Sequence, residues 1–134
     1  MTIENLLIIY DTDFKKRNWL DWIISHSMFS PPIHRYSGRA EILSDHFIFR
    51  GFDKQKDENV EIVLYRHLIT QLYLGYDKIY SRFQVRSSFF WQPIRIQYQN
   101  GSQEKPEYIY LISNYNHFST SNKELFEALK IWLS

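Results

Sequence analysis

The stretch Ser121-Asn122-Lys123-Glu124-Leu125-Phe126-Glu127-Ala128-Leu129-Lys130-Ile131-Trp132-Leu133 closes the chain and decides how the rest is read. Ser121 with Glu124 three residues on has the form of a capping box, in which each side chain satisfies a free backbone N–H at a helix start. Leu125, Leu129 and Trp132 recur at helical spacing, with Phe126 and Leu133 widening the stripe, while Lys123, Glu127 and Lys130 lie off it. Before this helix, from Gly38 to Asn114, the chain reads as short strands and turns. A single amphipathic helix after a run of antiparallel strands covers an open face or mouth of the sheet.

The strands are read from alternation. Ala40 and Ile42 alternate with Arg39 and Glu41, and Leu43 closes the run. After the turn at Ser44-Asp45, Phe47 and Phe49 alternate with His46, Ile48 and Arg50 as far as Gly51. A charged loop, 52–59, precedes a third strand over 60–65 and a fourth from 68 or 69 to 76. Phe83 to Arg86 reads as a short fifth strand and 93–98 as a sixth. Asn100-Gly101 is a turn signal, and 107–113 is the seventh strand. Residues 1–36 read differently. Leu6-Leu7-Ile8-Ile9-Tyr10 suits a buried strand or a first helical turn, and Asp11 and Asp13 suit the capping of a helix from Phe14 to about His26. Pro31-Pro32 then begins an extended linker. The expected organisation is an N-terminal helical extension, 1–36, docking on a mostly β domain, 37–134.

Composition bounds function. The chain has 134 residues, enough for one core. The 16 Lys and Arg against 15 Asp and Glu give a net charge of +1, which argues against a nonspecific nucleic-acid binder. There is no Cys, so disulfides, thiolate catalysis and thiolate-ligated zinc are excluded. The apolar run near the N-terminus is too short for a signal-peptide core or a membrane span, so a soluble cytoplasmic protein is expected. His26, His34, His46, His67 and His117 make no zinc spacing, although His46 and His67 could face each other across strands. No nucleophile elbow or phosphate loop is present, so no enzyme, cofactor or metal is expected.

Seven short strands and a final helix resemble the pleckstrin-homology-like family, with its GRAM and bacterial members. The residues that carry the resemblance are G-R-A-E-I-L-S-D-H-F-I-F-R-G at 38–51, V-E-I-V-L-Y-R-H-L-I at 60–69, P-I-R-I-Q-Y at 93–98 and N-K-E-L-F-E-A-L-K-I-W-L at 122–133. Trp132 stands where such domains often carry an aromatic facing the barrel. The resemblance covers about residues 38–134. It implies a seven-stranded antiparallel barrel or orthogonal sandwich capped by the helix, and a non-enzymatic scaffold that binds phosphoinositide head groups, peptides or proteins. Lipid-binding members carry several basic residues on the first two strands. Here only Arg39 and Arg50 stand there, so that signature is largely missing.

Two surfaces are candidates for contact. One is the aromatic and arginine cluster Arg82, Arg86, Phe89, Phe90, Trp91 and Arg95. Rings exposed beside cations mark protein interfaces, while the alternative is that Phe89 and Trp91 turn inward and plug the barrel. The other is Lys15-Lys16-Arg17 with Trp19 and Trp22, which would suit an anionic membrane surface, packing on the sheet, or a second copy of the chain. The leading expectation is an interaction module that binds a partner protein or itself. A membrane-surface adaptor and a small-ligand barrel are the alternatives.

Overall fold

The computed structural model describes residues 1–14, 31–82, 90–101, 105–116 and 119–134. Its strands are β1 (Thr2–Tyr10), β2 (Tyr36–Ile42), β3 (His46–Asp53), β4 (Glu58–Tyr65), β5 (Ile69–Leu74), β6 (Ile94–Tyr98) and β7 (Glu107–Ser113). Helix α1, described over Asp11–Phe14, follows β1, a 3-10 turn spans Arg66–Leu68, and α2 covers Asn122–Leu133. All strand pairs are antiparallel, in the order β4-β3-β2-β1-β7-β6-β5, and the sheet curls into a half-barrel.

The run Leu6 to Tyr10 resolves as a strand, at the centre of the sheet between β2 and β7. The described part of the segment expected to dock on the barrel thus supplies the sheet's middle strand. An unbroken apolar run is what a strand covered on both faces requires. Asn5, at φ 52, sits where the register to β2 slips between Ile3 and Leu6. This bulge resets the alternation, so Ile3, Leu6 and Ile8 all enter one core. The expected fifth strand, Phe83 to Arg86, and the expected helix beyond Phe14 lie outside the described residues.

The inner core joins Leu6, Ile8, Phe47, Phe49, Ile96 and Ile109 to Leu125 and Leu129 of α2, with Phe126 and Trp132 packed against it. The helix therefore lies on the inner face, as its stripe requires. The Trp132 indole N–H donates to the Leu43 carbonyl at 2.7 Å and ties the end of α2 to the β2–β3 turn. Gly38 and Gly51 stand opposite each other in the ladder. A Cβ on Gly38 would fall on the Arg50 carbonyl, and one on Gly51 on the Ser37 carbonyl. The two strands approach here as only glycine permits.

A second core covers the outer face of β1 and β7. Ile9, Tyr110 and Ile112 lie under Ile33, Tyr80 and Trp91. Asp77 pins this layer down. One carboxylate oxygen accepts the backbone N–H groups of Ile79 and Tyr80, and the other accepts Arg95 Nη1 at 3.0 Å and the Tyr110 hydroxyl at 2.8 Å. Burial and the bond to Asp77 together hold the Tyr110 hydroxyl far above its ordinary pKa. A buried ion triad fixes the entry to β2: Arg35 reaches Asp53 through two nitrogens and Asp13 through a third. Asp13 also accepts the Tyr10 N–H. Its carboxylate thus faces back toward β1 and Arg35. The Arg35 guanidinium holds the Asp53 carboxyl below the usual range.

Candidate functional site

The edges of the half-barrel are β4 and β5. The 3-10 turn Arg66–Leu68 carries the chain from one to the other, and beside it the Tyr65 N–H of β4 donates to the Tyr98 hydroxyl of β6 at 3.1 Å and the Gln99 N–H to the Leu68 carbonyl at 2.8 Å. The β5 edge has a readable hydrogen-bond phase. Gly75 N–H donates to the Pro93 carbonyl, so 75 and 93 are a bonded pair. Bonded pairs alternate in an antiparallel ladder. With Tyr73 opposite Arg95, and Leu72 and Leu74 opposite Ile96 and Ile94, the backbone groups of Leu72 and Leu74 point away from β6. Among the described residues, no backbone bond reaches them from the open side. The sequence of β5, I-T-Q-L-Y-L, holds no charge and no proline. The other edge strand, β4, carries Glu58 and Glu61, and such charges blunt unwanted pairing.

Helix α2 runs beside β5, and the two elements together line a cleft at each end. One, of about 420 Å³, is lined by Leu74, Arg82, Phe90, Gln92 and the first turn of α2 at Asn122, Lys123 and Glu124. The other, of about 570 Å³, is lined by Arg66, His67, Thr70, Leu72 and Leu133. The start of α2 is held by Asn122, which is buried. Its carboxamide oxygen accepts the Ser113 N–H at 2.7 Å and the Ser113 hydroxyl at 3.0 Å, and its Nδ2 donates to the Gln92 carbonyl at 2.7 Å. The expected capping box is absent. The Ser121 side chain makes no cap bond; its hydroxyl accepts from Asn114 Nδ2, and the Asn122 N–H bonds the Thr120 hydroxyl instead. The side chain at 122, clamped to β7 and the approach to β6, sets this helix end.

The structure separates the expected aromatic and arginine cluster. Phe90 is 66% exposed and Arg82 lies on the surface, and both line the first cleft. Trp91 is only 6% exposed, which fits the inward-turned alternative of the two left open for it: the indole packs in the outer core, not inside the barrel, against Tyr76 and Tyr115, with one part reaching the cleft. Arg95 is a strut. It is paired with Asp77, donates to Gln71 at 2.8 Å, and lies between the rings of Tyr73 and Tyr108. Arg86, Phe89, Trp19 and Trp22, with Lys15, Lys16 and Arg17, lie outside the described residues. Leu72, Leu74 and Asn122 were missed by the sequence reading. The uncharged edge strand was a visible signal for the first two, whereas the Asn122 clamp has no local signature.

His46 and His67 do not face each other directly. They flank Tyr65, with ring centroids 6.2 and 6.0 Å from its ring. Among the described residues no group of His, Asp and Glu could hold a metal ion, and no helix is long and apolar enough to cross a membrane. Comparison with family models, with curated proteins and with solved structures finds no match to this chain.

Proposed function

We propose that this chain is a non-enzymatic, pleckstrin-homology-like interaction module that receives an extended segment of a partner protein along β5. The order of the strands and the helix against the inner face are compatible with that fold family. The observation that carries the reading is the outward-pointing backbone of Leu72 and Leu74, on an uncharged edge strand beside α2. Strand addition draws affinity from main-chain hydrogen bonds, each worth roughly 0.5–1.5 kcal/mol net, and specificity from pockets that take side chains of the added strand. The clefts at the two ends of α2 are such pockets. In the first, Phe90 offers a large apolar surface, with Arg82 and Lys123 as cations beside Glu124.

The test begins with segments selected by peptide display against the full chain, followed by amide hydrogen exchange with and without a selected peptide. In the free protein the Leu72 and Leu74 amides exchange quickly and the Tyr73 amide slowly. Binding slows the first two, and Phe90→Ala with Lys123→Glu weakens it. Selected peptides that bind tightly yet leave both amides in fast exchange overturn the proposal. Protection that instead rises with the concentration of the protein alone identifies the added strand as coming from a second copy, and so overturns the assignment to a partner protein.

A further inference from the structure

We propose that Asn100 is a site of spontaneous covalent modification, converting over time to aspartate and isoaspartate through attack by the backbone nitrogen of Gly101. The inference does not depend on the function proposed above. The Asn-Gly pair reads as a hairpin turn signal, yet the ladder of β6 and β7 closes at Tyr98 opposite Glu107. The pair therefore lies inside a longer connection, 99–106, and is not the two-residue turn joining the strands. Both residues are exposed, and a Cβ built on Gly101 would meet nothing within 4 Å. Gly101 has no side chain to crowd its backbone nitrogen, and the space beside its Cα is open.

The step balances within the chain and water. The Gly101 amide nitrogen, having lost its proton, attacks Cγ of Asn100. A new C–N bond closes a five-membered imide, the bond from Cγ to Nδ2 breaks, and ammonia leaves. Water then adds to either imide carbonyl. Opening on one side gives aspartate, and on the other gives isoaspartate, in which the main chain runs through the side-chain carbon. Nothing is oxidised or reduced.

The other asparagines are placed against this reaction. Asn5, Asn18, Asn59, Asn114, Asn116 and Asn122 are followed by Leu, Trp, Val, Tyr, His and Lys, whose side chains crowd the attacking nitrogen. Asn59 lies in the β3–β4 ladder, and the Asn122 carboxamide is clamped on both its atoms. The conversion adds one carboxylate, so the formal charge falls from +1 to +1 − 1 = 0. The isoaspartate branch also lengthens the main chain between Tyr98, which bonds β4, and the start of β7.

The experiment incubates the purified full chain at mildly alkaline and mildly acidic pH. Conversion is followed by peptide mass mapping and by labelling with an isoaspartyl methyltransferase. Conversion appears first at Asn100, faster at the alkaline pH because the nucleophile is the deprotonated amide. Gly101→Ala, which the open surroundings tolerate without a change of fold, largely abolishes the signal. The chain unfolded in urea serves as a control. If it converts at Asn100 while the folded chain does not, the loop protects the residue and the proposal fails. It fails equally if another asparagine converts first in the folded protein.

Discussion

His34 lies half-buried between the outer core and the Arg35 triad, with Nδ1 against the Pro32 carbonyl at 2.9 Å. Burial, and then the Lys54 charge, lower its pKa from 6.5 to about 4. The unfolded chain takes up this proton near pH 6.5 and the folded chain only near pH 4. Acid therefore favours unfolding across that window. The stabilisation is complete above pH 6.5, declines on acidification, and is spent below pH 4, a change of at most roughly 3 kcal/mol. Asp53, whose pKa is lowered by Arg35, loses its contribution in the same direction at lower pH. Urea denaturation of the wild type and His34→Gln at several pH values separates the two. The variant is expected to have a shallower loss of stability down to pH 4. Equal slopes would show that His34 does not carry the effect. Nothing in the sequence around Pro31-Pro32 marks this histidine, because its environment is made by residues distant in the chain.

Among the elements, periodicity made α2 and most of the strands legible, because each buries one face and repeats accordingly. The strands β2, β3, β6 and β7 fall within a few residues of their expected bounds. What local pattern could not express is where an element is anchored by long-range polar contacts. The start of α2 is the plain instance: its sequence has the form of a capping box, but a buried Asn122 bonded to Ser113 and Gln92 holds it. Asn122→Leu strips partners from the Ser113 N–H and the Gln92 carbonyl. Each buried group left unsatisfied costs roughly 1–3 kcal/mol. A loss of roughly 2–4 kcal/mol in the unfolding free energy is expected, whereas Ser121→Ala should change stability by less than about 0.5 kcal/mol, as for a surface site. Thermal or chemical unfolding of both variants decides between them; a larger loss from Ser121→Ala would restore the capping-box account. Asn122→Leu should also alter the first cleft, since Asn122 lines it.

For the whole molecule, the sequence reading and the structure agree on a mostly β sheet with a helix against its inner face, and they part over the N-terminus. Seven strands are expected and seven stand among the described residues, but one of these seven is β1, which the periodicity of 38–114 could not contain. The reason is physical: β1 is covered by the inner core on one face and the outer core on the other, so it shows no alternation to distinguish it from a helix start. The candidate site follows the same division. Phe90 and Arg82 were visible as residue types, while the groove they end needs the edge phase of β5 and the placement of α2. This organisation makes a strong claim about a chain beginning at Ser37. Such a chain loses β1 and with it both ladders, to β2 and to β7. It also loses Leu6, Ile8 and Ile9, each almost wholly buried. At roughly 1.5–3 kcal/mol for each buried side chain, the loss is roughly 5–9 kcal/mol before any hydrogen bond is counted. Small domains hold only about 5–15 kcal/mol in total. The shortened chain is therefore expected to be insoluble or to lack a cooperative unfolding transition, while the full chain unfolds in one step. Light scattering, circular dichroism and thermal unfolding of the two chains make the comparison. A shortened chain that is monomeric and melts cooperatively near the full-length temperature would mean that β2 and β7 can close the sheet without β1, and would return the N-terminal segment to the role of a docked extension.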